Sequence, residues 1–77
     1  MNQEQIAQMT EAAAGMAVGV GFLTKDLHAP EVWHAMAVRE RLARGRWFSG
    51  AVRRGELPDV ELAGVDVHNH RVYVKLR

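Results

Sequence analysis

The spacing of apolar residues changes from a helical period to strict alternation at residues 55–58, Gly-Glu-Leu-Pro. A period of two places alternate side chains on opposite faces of a β-strand. Residues 59–77 therefore predict a C-terminal β-hairpin, with its turn around Asn69, a residue type that tolerates a left-handed backbone. In the second strand we expect an apolar face with Val72, Val74 and Leu76, and a face toward water with Tyr73 and Lys75.

A first helix is predicted close to the N-terminus. Asn2 and Gln5 have the spacing of a capping box, in which each side chain accepts a hydrogen bond from the backbone N–H of the other residue. Gly15, Gly19 and Gly21 each weaken a helix by about 1 kcal/mol relative to Ala. We therefore expect this helix to end near Gly15.

A second helix is predicted over residues 30–44, because Pro30 and Glu31 suit a first helical turn. A helical wheel predicts an apolar side with Val32, Ala35, Met36, Leu42 and Ala43, and an opposite, polar side with His34, Arg41 and Arg44. Gly45 should separate this helix from a short third one at about 46–54. Gly55 is well placed to cap that third helix.

The segment 16–23 is compatible with two structures. It is short and rich in Val and Phe, which favours a buried strand, but its glycines would also suit a closely packed helix. The apolar run of residues 12–23 is shorter than the roughly twenty residues that span a bilayer, so no membrane partner is expected. The first ten residues contain no Lys or Arg, so no secretory signal is expected, and a cytoplasmic location is predicted.

These patterns predict a single α+β domain over residues 1–77, with two to three helices, a C-terminal hairpin and an additional strand at 16–23 as an option. A chain of 77 residues is near the lower size limit for independent folding. Cysteine is absent, which excludes disulfides and thiolate metal sites. A homodimer therefore stays open as a source of stability.

Basic residues are concentrated in the second half of the chain. Residues 39–77 hold nine Lys or Arg and five Asp or Glu, a net charge of +4, whereas residues 1–38 carry −3. Six arginines fall within residues 39–58 alone. This asymmetry suits a polyanionic ligand, although it also fits a solvated surface.

The predicted helix pair and hairpin in residues 39–77 resemble the winged helix-turn-helix of excisionase and MerR-type proteins. The segment Arg53-Arg54-Gly55-Glu56-Leu57-Pro58 matches the end of a recognition helix in that family. The resemblance implies a winged-helix-like, DNA-binding accessory or regulatory protein, such as phages and mobile elements carry. Its ligand would be double-stranded DNA. The residues that the resemblance assigns to DNA contact are Arg46, Arg53, Arg54, Arg71, Lys75 and Arg77.

The residues favour neither metal binding nor catalysis. His68 and His70, with Asp66, could share one face toward a metal ion, but a closed site needs about four ligands, and no sulfur or third histidine lies nearby. Ser49 is the only serine, and no nucleophile turn or phosphate loop accompanies it. We therefore predict a protein that is not an enzyme and that needs no metal or cofactor.

The alternative to DNA binding is a protein–protein interaction module. It would be a small assembly component or an inhibitor of a larger complex. Trp47 and Phe48 with nearby arginines have the composition of interface hot spots. The apolar run at 12–23 could extend such an interface, either to a protein partner or to a second copy of the chain.

Overall fold

The computed structural model describes residues 1–77, which form an α+β fold with the sheet strands concentrated at the C-terminus. Three α-helices and a 3₁₀ turn pack on one three-stranded antiparallel sheet. In chain order the elements are α1 (Gln3–Ala14), β1 (Gly21–Phe22), a 3₁₀ turn (Thr24–Leu27), α2 (Pro30–Ala35), α3 (Val38–Arg53), β2 (Val60–Val65) and β3 (Arg71–Lys75). None of these helices combines the length and apolar character needed to cross a bilayer.

The ends of α1 agree with the sequence prediction. The backbone N–H of Gln5 donates to Oδ1 of Asn2 over 2.8 Å, and the N–H of Asn2 donates to Oε1 of Gln5 over 2.9 Å. Gly15 caps the other end, and its N–H donates to carbonyls of the last turn. Each end is determined by groups within four residues of it, which is why sequence spacing alone predicts it.

The cap of α3 and the turn of the hairpin also agree with the prediction. Gly55 has φ +76°, and its N–H donates to the carbonyl of Val52 while the N–H of Glu56 donates to that of Ala51. This pair of bonds is the Schellman motif. Asn69, at the hairpin turn, has φ +64°.

The predicted break at Gly45 is wrong. The chain leaves the helical conformation at Met36 and Ala37, with ψ 143° and 153°, and α3 then continues through Gly45 and Gly50 to Arg53. Each internal glycine costs about 1 kcal/mol. Burial of Phe48 and Ala51, both fully enclosed in the core, offsets that cost, since one buried Phe side chain contributes about 1.5–3 kcal/mol.

The predicted faces of the second helix are also wrong, because a single wheel over 30–44 does not describe two helices separated by an extended corner. Leu42, predicted on the apolar side, is 52% exposed. Arg44, predicted on the polar side, is only 6% exposed. The buried residues of α3 are Arg44, Phe48, Gly50 and Ala51.

The sheet has the strand order β1-β3-β2, with both pairings antiparallel. Of the two structures compatible with segment 16–23, the strand forms, but only over Gly21–Phe22, with an isolated bridge from Val18 to Lys75. A bulge between Leu62 and Gly64 shifts the register of the hairpin. The predicted hairpin itself is confirmed.

The faces of β3 are the reverse of those predicted. Tyr73 is 1% exposed and pairs with both Phe22 and Leu62, whose side chains lie on the same face. An aromatic cluster forms there: the ring of Tyr73 meets that of Phe48 edge-on at 4.8 Å, and Phe22 lies 6.1 Å from both. The large ring of Tyr73 fills the space under the helices better than either flanking valine, so packing volume decides the face. The rest of the core is Met9, Ala13, Leu27, Ala51 and Val60.

Candidate functional site

An open groove of about 740 Å³ lies between the α2–α3 corner and the hairpin. We call it the basic groove. Fifteen residues line it: Leu23, Thr24, Lys25, Trp33, His34, Val38, Arg41, Leu42, Gly45, Arg46, Val65, Asn69, His70, Arg71 and Tyr73. None is Asp or Glu, although the chain has nine acidic and ten basic residues. The protein is therefore nearly neutral as a whole, but the formal charges that line this groove are all positive.

Arg41 holds the corner between α2 and α3 in place. Its Nε donates to the carbonyl of Trp33 and its Nη2 to that of His34, each over 3.0 Å. The guanidinium also lies 5.7 Å from the centre of the Trp33 ring, close enough for a cation–π contact. The carbonyls of Trp33 and His34 at the end of α2 thus receive donors from α3, and that of Trp33 also accepts from the N–H of Met36.

Two of the predicted DNA-contacting residues, Arg46 and Arg71, lie together in the basic groove. Arg53 lines a smaller adjoining pocket of about 310 Å³ that also includes Arg71 and Tyr73. None of these three arginines forms an ion pair with a carboxylate. They form one basic surface that runs along α3 and across to β3.

The other three predicted residues have partners elsewhere. Nε of Arg54 lies 2.5 Å from Oε2 of Glu56, and this hydrogen bond lowers the pKa of the Glu56 carboxyl. Arg77 contacts Asp59 over 2.9 Å. Lys75 donates through Nζ to the carbonyl of Ala14 at the end of α1. The structure does not bring these three cations to the groove.

Sequence reasoning missed Lys25 and Arg41, the other Lys and Arg residues in the groove lining. Lys25 belongs to the 3₁₀ turn, far in sequence from the arginine-rich segment, and no local pattern predicts that the turn packs beside α3. The wheel predicts Arg41 on a solvated helix face. Its spacing of seven and eight residues from His34 and Trp33 is compatible with a capping contact only once the corner at 36–37 is known.

A partly buried polar network lies under the corner. Nη1 of Arg44 is 3.1 Å from Nε2 of His28, and Nη2 of Arg44 donates to Oε1 of Glu40 over 3.1 Å. Since a guanidinium only donates, Nε2 of His28 must accept, so its Nδ1 carries the proton and donates to the carbonyl of Thr24 over 3.2 Å. Burial, and then the charge of Arg44, lower the pKa of His28. The imidazole is therefore held neutral.

Asp66 organises the tip of the hairpin. Its Oδ1 accepts hydrogen bonds from the backbone N–H groups of His68 and His70, each over 2.9 Å, and these bonds, the one from His70 foremost, lower the pKa of the Asp66 carboxyl. The two imidazole rings are 6.1 Å apart. No three His, Asp or Glu side chains come together in a group that could hold a metal ion.

Only some of the residues predicted to form a protein interface are accessible to a partner. Phe48 is 0% exposed, so it cannot contact a partner, and Trp47 is half-buried beside it with ring centres 6.2 Å apart. Within 12–23, Ala13 and Phe22 are buried, whereas Val18 and Val20 are 56% and 58% exposed. Phe48 therefore drops out of the predicted interface, whereas Val18 and Val20 remain available to a contact surface.

Comparison with known proteins assigns a family. The profile of one family, described as DUF1413, a domain of unknown function, matches residues 7–75. The chain belongs to the DUF1413 family. The matched region extends from α1 to the end of β3 and includes every residue of the basic groove. No match was found among curated proteins or among solved structures. Membership in DUF1413 assigns no activity, so the resemblance of residues 39–77 to excisionase and MerR-type proteins stays a prediction.

Proposed function

We propose that this chain binds double-stranded DNA through the basic groove and does so without catalysis. The observation that carries the proposal is the sorting of charge: four Lys or Arg residues and two histidines line the groove, and no carboxylate does. Phosphate contacts from Lys and Arg supply most of the non-specific affinity of DNA-binding proteins. A ligand with closely spaced negative charges fits such a surface best.

The arrangement of α3 and the hairpin supports the same ligand. α3 has sixteen residues and a length of about 24 Å at 1.5 Å per residue, enough to lie along a segment of major groove. In the proposed complex Arg46 on α3 and Arg71 on β3 contact phosphates from the two sides of the basic groove. Arg53 extends the contact along the helix. This division between a helix in the groove and flanking phosphate contacts is common among DNA-binding folds.

Acidic residues near the hairpin do not oppose this arrangement directly. Glu61 lies on the sheet face opposite that of the buried aromatic cluster. Glu56 is neutralised by Arg54. Asp66, at the hairpin tip, is engaged by two backbone N–H groups and lies 3.7 Å from the ring nitrogen of His70. Repulsion between these carboxylates and a phosphate chain is therefore limited to the hairpin tip.

Fluorescence anisotropy with a labelled random-sequence duplex, at about 50 and about 200 mM salt, tests the proposal. Binding through several phosphates should weaken steeply between these concentrations, since each neutralised phosphate releases counterions. Weak, salt-independent binding, or none at the lower concentration, would exclude DNA as the ligand of this groove.

A protein partner is the second candidate, because Val18, Val20 and Leu76 leave apolar surface exposed near the β1 edge of the sheet. Val18 bridges to Lys75, the neighbour of Leu76, so the three residues belong to one region. If this surface mediates self-association, light scattering should detect a dimer, and Val18→Asp should return it to a monomer. A monomer at all concentrations would argue against a homodimer.

A further inference from the structure

One stripe of α3 brings apolar side chains into the basic groove. Val38, Leu42 and Arg46 are spaced four residues apart, which places them on the same side of the helix, and all three line the groove. Val38 is 68% exposed and Leu42 is 52% exposed. The core side of α3 is formed by Phe48 and Ala51 instead. Val38 and Leu42 therefore contribute little to the core and are open to a ligand.

We infer that Val38 and Leu42 recognise thymine, by contact with its 5-methyl group in the major groove, an inference that rests on the proposed DNA binding. A single exposed apolar residue is ordinary on a protein surface. Two neighbours beside an arginine without a carboxylate partner, in a groove without acids, instead fit a ligand that presents apolar groups next to negative charge. Among the base edges in the major groove, thymine alone carries a methyl group, whereas the others present hydrogen-bonding groups.

The spacing along the helix suits two such contacts. Residues four apart are separated by about 6 Å along the helix axis, and successive bases on one strand by about 3.4 Å. Val38 and Leu42 can therefore reach bases about two steps apart. Arg41 is engaged by the carbonyls of Trp33 and His34, which leaves Arg46 as the cation of the stripe for phosphate.

The test compares two duplexes of about twenty base pairs with the same alternating A·T sequence, one with thymine and one with deoxyuridine, which lacks the methyl group. We expect tighter binding of the thymine duplex, by about fourfold for each methyl group buried. In the variant Val38→Ala with Leu42→Ala the two affinities should become equal, at the value of the parent protein for the deoxyuridine duplex. Val32→Ala is the matched control, since it shortens a similarly exposed helical valine that does not line the groove.

The possible outcomes separate thymine recognition from DNA binding. Equal binding of both duplexes with a steep salt dependence would overturn thymine recognition and leave DNA binding intact. No binding of either duplex would overturn both. A preference for thymine that persists in the double variant would assign the effect to duplex shape and would also overturn the inference. Circular dichroism of each variant excludes loss of fold as the cause.

Discussion

The guanidinium of Arg44 and the imidazole of His28 lie 3.1 Å apart beneath the α2–α3 corner, and the Arg44 side chain is 7% exposed. Its remaining partner is Glu40, while its Nε makes no hydrogen bond although it is buried. A buried cation with one unsatisfied donor is costly. The contact therefore determines how α3 sits on the 3₁₀ turn, but its net contribution to stability is small.

Arg44→Met should leave the free energy of unfolding within about 1 kcal/mol of the parent, because an apolar side chain of similar volume removes the cost of burying the Arg44 cation. Glu40→Ala should be more harmful, since it leaves the Arg44 cation in place without its carboxylate partner. Urea unfolding of both variants measures the difference. If Arg44→Met were the more damaging of the two, the network would be a main source of stability.

Stability should decrease as the pH falls below about 6.5. Burial and the Arg44 charge lower the pKa of His28 below its ordinary value of 6.5, so the unfolded chain takes up this proton before the folded chain does. Lowering the pH stabilises whichever state binds more protons. Here that is the unfolded state, so the free energy of unfolding decreases. The smaller opposing effects of Thr24 and Glu40 do not reverse the direction of the shift. Urea midpoints at about pH 7.5, 6 and 5 should fall in that order.

His28→Gln provides the control for this pH dependence. It removes the titrating group, so the variant should show a smaller decrease in urea midpoint over the same pH range. If the urea midpoint of the variant decreased as much as that of the parent, a group other than His28 would dominate the pH dependence of stability.

Two glycines should respond to alanine in opposite directions. Gly45 lies inside α3 with open space around the position of a Cβ atom, so Gly45→Ala should raise the free energy of unfolding by about 1 kcal/mol. Gly55 has φ +76°, where a side chain costs about 1–2 kcal/mol, so Gly55→Ala should lower it. Thermal unfolding of both variants tests the pair. A stabilising Gly55→Ala would contradict the capping role of this residue.

The variant Arg46→Ala with Arg71→Ala should weaken DNA binding and reduce the slope of log affinity against log salt by about two, because each arginine neutralises about one phosphate. The matched control is Arg54→Ala with Arg77→Ala, which removes the same net charge from arginines already paired with Glu56 and Asp59. That variant should retain nearly the parental slope. Equal reductions in both variants would indicate that net charge, rather than the basic groove, determines binding.

Features that depend on near neighbours can be predicted from residue order. The Asn2–Gln5 box, the Gly55 cap and the turn at Asn69 are each formed by groups within a few residues, so spacing and residue type suffice to predict them. The alternation after Pro58 likewise predicts the hairpin. The concentration of arginine in residues 39–58 indicates a basic surface that includes Arg46, although it does not indicate where the groove lies.

The buried faces and the grouping of cations depend instead on long-range packing. The corner at Met36 and Ala37 has no local signal and is held by Arg41 from the next helix, so one wheel cannot predict the phase of α3. The volume available beneath the helices places Tyr73 inward and its valine neighbours outward. Likewise, Arg77 pairs with Asp59, which lies far from it in the sequence and which only the folded chain brings within reach. Such contacts form between residues that are not near neighbours in the chain, so residue spacing alone does not predict them.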